Sequence, residues 1–319
     1  MTPVDLEQPG EYKPKLVVNA IFAPESVWTV KLHRSAAIAK VVDWRDYQVV
    51  DAEVFISDGG SYLERLVHSG SGIYRSSAGR RPLANNEYFL NVTATSLLSV
   101  RAASSTPILS ADWHGFDEVF QPSTSEPGQY KVQLTLNDYA GSHKYSISVD
   151  KLWLNCNSDN GPVLHSDGGA TAYGGVSFES SFPALRSTII QVDDASEWFV
   201  PGEPFSGTAW LSDELFQEES AKFLLTLHVE YDQDLAPHFR FTVTSYSHEL
   251  WEYEMSTFRH DPLYGSFLPD RPVTVYTNVE NGLGIFGGAA YRSLLVDANG
   301  RTWSEDDLRV GWPCDGGAD

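Results

Sequence analysis

Apolar and polar positions alternate with a period of two along most of this chain, the pattern of strands that bury one face. In the first third it predicts strands over residues 16–22, 27–33, 52–57, 62–67, 73–75 and 87–93. Turn residues separate them, including Pro24, Asp58-Gly59-Gly60 and Gly70-Ser71-Gly72. Short strands at turn-marked spacing, with no long amphipathic helix, predict an antiparallel sandwich. The run Ala102-Ala103-Ser104-Ser105-Thr106-Pro107 is small, polar and ended by proline, so the domain boundary is placed there. Alternation resumes over 130–136, 144–149, 206–211, 223–230, 239–246 and 291–296. Residues 155–175, rich in Asn, Asp, Ser and Gly, read as a long mobile loop. Near 247–259 the period changes to that of a helix. Ser247 is its expected N-cap, and Trp251, Met255 and Phe258 share one face. The expected architecture is all-β: a tether over 1–14, a sandwich over 15–104, and a larger sandwich or barrel-like domain over 105–319 that carries the one short helix.

One stretch organises the rest. Val273, Val275 and Thr277 alternate as in a strand, Asn281-Gly282 marks a turn, and Gly282, Gly284, Gly287 and Gly288 follow around Phe286. Gly282, Gly284 and Gly287 also spell G-x-G-x-x-G, which cradles a dinucleotide pyrophosphate when a strand precedes it and a helix follows. Glu305 even stands near the position of the ribose-binding acid. The segment after the glycines has strand-like residues, however, and no alternating strand and helix units surround it. Asn281, Gly282, Gly284, Phe286 and Gly287 are therefore read as a structural motif, with glycine wherever a neighbouring strand leaves no room for a Cβ.

Composition narrows the function classes. With 42% hydrophobic residues the chain can build ordinary cores, and a formal charge of −21 makes nucleic acid an improbable partner. No run of apolar residues is long enough to span a bilayer as a helix. The polar start, with Pro3, Pro9 and Pro14, reads as an extended tether, so either the protein is cytoplasmic or a leader has been removed. Cys156 and Cys314 pair in an exported protein or stay thiols in a cytosolic one.

Chemical constellations are incomplete. His248-Glu249 has Glu252 where a zinc protease needs its second histidine. Ser61 and Ser71 lie in glycine-rich turns without completing a nucleophile elbow. Asp193-Asp194 and Asp306-Asp307 offer carboxylates for glycoside hydrolysis, although adjacent acids on a surface turn are commoner. Asn157-Ser158-Asp159-Asn160-Gly161 and Asp297-Ala298-Asn299-Gly300 carry oxygen ligands but lack the full calcium loop, and Asx turns explain them more simply. Asn91-Val92-Thr93 is a glycosylation sequon by chance, inside an expected strand. Trp44, Trp198 and Trp303 sit in polar surroundings and are the tryptophans to inspect as sugar-stacking platforms.

Two resemblances emerge from these segments. The order of 50–54, 72–74 and 86–92 resembles transthyretin-like or carboxypeptidase-regulatory sandwiches. More specifically, Lys13–Phe22, Trp28–Ser35, the strand over 50–56, the helix and the run Asn278-Val279-Glu280-Asn281-Gly282-Leu283-Gly284-Ile285-Phe286-Gly287 resemble Bacteroidota proteins catalogued as domain of unknown function four-two-four-nine. That resemblance implies an exported lipoprotein, anchored in the outer membrane through a cysteine upstream of Thr2, working beside a TonB-dependent transporter. It brings no catalytic residue with it, and the residues themselves point to no cofactor, with calcium the one metal left open. The function expected is a non-enzymatic accessory or substrate-capturing subunit, with a glycan- or peptide-binding surface protein as the alternative and a carboxylate hydrolase behind both.

Overall fold

The computed structural model describes residues 12–36, 43–59, 61–115, 128–137, 143–155, 163–166, 176–180, 208–213, 220–229, 238–260, 274–297 and 302–303. In chain order its strands are β1 (Leu16–Phe22), β2 (Thr29–Arg34), β3 (Glu53–Asp58), β4 (Ser61–Gly70), β5 (Ile73–Arg75), β6 (Glu87–Thr93), β7 (Val100–Ser105), β8 (Ser110–Gly115) and β9 (Gly128–Asn137). They continue with β10 (Lys144–Asn155), β11 (Val163–Ser166), β12 (Val176–Ser180), β13 (Thr208–Ser212), β14 (Ser220–Val229) and β15 (His238–Tyr246). Helix α1 (His248–His260) follows, then β16 (Leu283–Asp297) and β17 (Thr302–Trp303). The fold is all-β with this single α-helix among the described residues.

Internal contacts group the chain into two compact units, and neither is a continuous segment. The first takes in Met1–Pro107, Ser247–His260 and Pro272–Ala289, and the second Ile108–Tyr246, Asp261–Arg271 and Ala290–Asp319. A break after Pro107 lies close to the expected one. The helix and the glycine-rich stretch nonetheless belong with the first unit, where the sequence placed both in a second domain running unbroken to the C-terminus.

Within the first unit the strand order is β16-β1-β2-β5-β4-β3-β6-β7. Alternation explains the layers: Leu16, Val18, Ala20 and Phe22 of β1 are buried, as are Val54 and Ile56 of β3 and Tyr88, Leu90 and Val92 of β6. These inward rows meet in one core, to which β16 contributes Phe286. The Phe286 ring lies 4.6 Å from that of Phe22 and is stacked on Trp28 at 6.3 Å, with Tyr88 edge-on to Trp28. Full burial of a phenylalanine of this kind is worth roughly 2–3 kcal/mol. That is why a residue so late in sequence organises the first unit. The β1–β16 pair is parallel, with Val18 opposite Gly284 and Ala20 opposite Phe286, a departure from the expected antiparallel pattern.

The second unit packs the antiparallel sheet β12-β14-β9-β8 over a sheet in which β10 pairs with β15 on one side and with β11 and β13 on the other. Leu134, Phe223 and Leu225 of the first sheet and Ile147, Phe241 and Val243 of the second share one core. Both units are thus built as two strand layers around an apolar centre.

Four elements depart from the expectations. The boundary run Ala102–Ser105 is part of β7, paired with β6 through Leu90 opposite Ala102. Residues 274–279 form no strand, and β16 begins only after the Asn281-Gly282 turn. The loop over 155–175 contains β11, paired with the end of β10. Finally, β16 covers the glycines as well as 291–296, because pairing with β1 overrides their poor strand propensity.

Candidate functional site

The glycine motif is a place where backbone meets backbone. Gly282 closes a turn by donating its N–H to Val279 O at 3.2 Å, with Asn281 at φ 61°. Gly284 has φ 95°, and a Cβ built on it would come within 1.9 Å of Val18 O on the neighbouring strand. At Gly288 a Cβ would stand 2.0 Å from Ser105 O. Gly287 faces the helix, its missing Cβ occupied by Leu250 Cβ at 2.7 Å. After Gly287 the chain continues as strand, so the G-x-G-x-x-G run lies along a sheet and opens no helix.

The Asn278 side chain is bonded to both β7 and β16. The Asn278 carboxamide accepts from Phe286 N–H at 3.0 Å and donates to Phe286 O at 2.7 Å, reproducing the paired exchange of an antiparallel ladder. Its second N–H donates to Ala103 O at 2.9 Å. Two residues later in the same segment, Glu280 N–H donates to Arg101 O at 2.8 Å. The side chain therefore bridges two strands that do not form a ladder, and it holds Phe286 at the depth where its ring enters the core.

Helix α1 is fixed to the same strands by its N-cap. Ser247 Oγ accepts from Leu250 N–H and from Gly288 N–H, each at 3.2 Å, while Ser247 N–H donates to Gly288 O at 2.8 Å. Ser104 Oγ lies 2.9 Å from Ser247 Oγ and donates to Glu249 Oε2 at 2.7 Å. The expected cap and the burial of Trp251 and Met255 are observed. Two close approaches mark this end of β7: the buried Ser104 hydroxyl packs against Ser247 and Glu249, and the Ser105 carbonyl oxygen takes the space a Cβ would need at Gly288. Farther along, Tyr276 N–H donates to Ser256 Oγ at 2.8 Å. Burial raises the Tyr276 phenol above its ordinary range, and the Glu249 and Glu252 carboxylates add to it. Burial likewise raises the Glu254 carboxyl.

The remaining sequence candidates separate. Ser61 opens β4, Ser71 is in the turn after it at φ 52°, and Asn91 and Thr93 lie on β6. His248 and Glu249 begin α1, with Glu249 engaged by Ser104. Asn157 to Gly161, Ala298 to Gly300, Cys156, Cys314, Asp193, Asp194, Trp198, Glu305, Asp306 and Asp307 lie outside the described residues, as do the side chains of Trp44 and Trp303. Among the described residues no three His, Cys, Asp or Glu side chains gather as metal ligands. Asn278 and the Ser104–Ser247 contact were not singled out from sequence. The available signals were an Asn within an otherwise β-branched run and an unexplained cluster of small residues, each ambiguous without its partner.

What this arrangement does is close a sandwich with backbone atoms and one carboxamide. No curated protein matches the chain. Among solved structures, it is similar to the major pilin subunit BcpA of Bacillus cereus at 12% identity, covering 89% of this chain and 69% of that one, with a TM-score of 0.24. The major pilin SpaD of Corynebacterium diphtheriae gives 6% identity, 89% and 66% coverage and a TM-score of 0.24. The collagen binding domain of the surface protein RspB of Erysipelothrix rhusiopathiae gives 12%, 87%, 96% and 0.18. The chain spans 64–69% of the pilin chains it matches. These TM-scores are too low for assembly or binding to be carried across. A family model described as Domain of unknown function (DUF4249) matches residues 1–294, a span that includes both Asn278 and the glycine motif, and the chain belongs to that family.

Proposed function

We propose that this protein is a non-enzymatic cell-envelope lipoprotein that serves a TonB-dependent outer-membrane transporter as an accessory or substrate-capturing subunit. Membership of the family over residues 1–294 carries the reading, since the sequence resemblance to that family implies export, a lipid anchor and a transporter partner. The use of the glycine motif in strand closure supports a scaffold over a cofactor site. On this reading the polar residues before Tyr12 link an acylated cysteine to β1, and the membrane is reached only through that anchor. The test is purification of the tagged, full-length protein from detergent-solubilised envelopes of its native host. An outer-membrane β-barrel transporter is expected to co-purify in stoichiometric amount. Recovery of the protein alone, in the aqueous fraction and without acyl chains by mass spectrometry, would overturn the reading.

A further inference from the structure

The outward face of β4-β3-β6-β7 has a composition unlike a plain solvated sheet. Register places Ser57 of β3 between Tyr62 of β4 and Phe89 of β6, with Ala103 of β7 beyond. The next row runs Arg65, Phe55, Asn91, Arg101 across the same four strands. Alternation turns all of these away from the core: Tyr62 is 64% exposed, Arg65 and Arg101 are exposed, and Phe55, Phe89 and Asn91 are half-buried. Tyr62 and Phe89 stand two strand spacings apart along the backbone, about 10 Å, and the Tyr62 ring meets Phe55 edge-on at 6.0 Å. Ser57 and Ala103, being small, leave the floor beside Phe89 open.

We infer that this face binds an acidic oligosaccharide, with sugar rings against Tyr62 and Phe89 and carboxylates against Arg65 and Arg101. Aromatic faces take the apolar face of a pyranose, and guanidinium groups take a carboxylate in bidentate fashion. The Arg65 guanidinium lies 5.9 Å from the Phe55 ring centre, and its ion pair with Glu53 at 2.9 Å has to open for it to take a ligand carboxylate. The Arg101 guanidinium has no ion pair among the described residues, although Glu280 lies opposite it across an isolated bridge. Glu53 and Glu87 share this face with the two arginines, and the charge setting opposes an anion less here than in the second unit. The first unit has 12 Lys and Arg against 15 Asp and Glu, whereas the second has 10 against 28. An extended peptide fits less well, because β3 and β6 are hydrogen-bonded on both sides and offer no free strand edge for augmentation. A ligand on this face is read by side chains alone. The inference needs neither the anchor nor the transporter.

Isothermal titration of the full chain with a panel of short uronic-acid oligosaccharides tests it, with neutral gluco-oligosaccharides and an acidic peptide as comparators. Uronate binding that weakens with salt is expected, reduced about tenfold or more by Tyr62→Ala, by Phe89→Ala and by Arg101→Ala. Arg101→Lys should retain part of the affinity, and circular dichroism with the thermal midpoint establishes that each variant is folded. Tyr62→Phe keeps the ring and guards against a folding defect in the alanine variant, so it should bind as the parent does. Absence of binding across the uronate panel would overturn the inference. Equal affinity for neutral sugars, or tighter binding of the acidic peptide, would overturn it too. None of these outcomes bears on transporter co-purification.

Discussion

Asn278 uses one acceptor and two donors on three backbone groups, so its replacement leaves Phe286 N–H, Phe286 O and Ala103 O unmatched in a partly buried seam. Leaving buried backbone groups unpaired costs about 1–3 kcal/mol each. We expect Asn278→Ala to destabilise the first unit by roughly 3 kcal/mol in urea denaturation, after some relief from water. Asn278→Asp keeps the shape and the acceptor but faces two carbonyl oxygens with a carboxylate. It should be at least as damaging at neutral pH and partly recover in acid, where protonation restores one donor. Equal stability of all three proteins would remove Asn278 from its bridging role. Gly284→Ala is a separate case, since φ 95° and an oxygen 1.9 Å from the new Cβ both oppose it. The expected loss exceeds about 3 kcal/mol, because the obstacle is backbone and cannot rotate away. The glycines were legible in sequence as sites of close approach. Asn278 was not, because its role depends on Ala103 and Phe286, which only the folded chain brings to it.

Among the elements, α1 was the most legible and β7 the least. A helix announces itself through local signals, here the Ser247 cap and the Trp251–Met255 spacing, and these survive without tertiary context. Strand β7 reads as a linker because Ala102, Ala103, Ser104 and Ser105 have low strand propensity. At Ser104 the small size answers to Ser247 and Glu249 packed against it, and at Ala102 to its place in the core. The helix also carries a pH dependence. Burial raises the Glu254 carboxyl pKa in the folded state, so the folded chain holds that proton more tightly than the unfolded one. Its cost to stability is absent below the unfolded pKa, grows as pH rises through it, and is complete above the folded pKa. Glu254→Gln should therefore raise the urea midpoint near neutral pH and leave it unchanged near about pH 3. A gain of the same size at both pH values would mean that the substitution acts through packing and not through charge.

At the scale of the whole molecule, the first unit is assembled from three separated pieces of chain, which alternation alone does not reveal. Periodicity identifies that β1 has an apolar face, but not that its neighbour is a strand beginning at Leu283. The consequence is testable by truncation. A fragment of residues 1–107 keeps β1 to β7, yet it loses the parallel partner of β1, the Phe286 ring packed against Phe22 and Trp28, and the Asn278 bridge to β7. Removing the Phe286 side chain alone would cost roughly 3–5 kcal/mol, a large part of the total stability of an ordinary domain. The exposed edge of β1 would then be open to pairing between copies. We expect the fragment to be unfolded or aggregated, with poorly dispersed amide resonances, while the intact chain gives a dispersed spectrum. A cooperatively unfolding, monomeric 1–107 would show that the late segment decorates a finished sandwich. The expected failure would show instead that the first unit cannot be completed until the ribosome has delivered Leu283 to Ala289, so that the N-terminal strands wait for a segment far along the chain before they acquire their final partner.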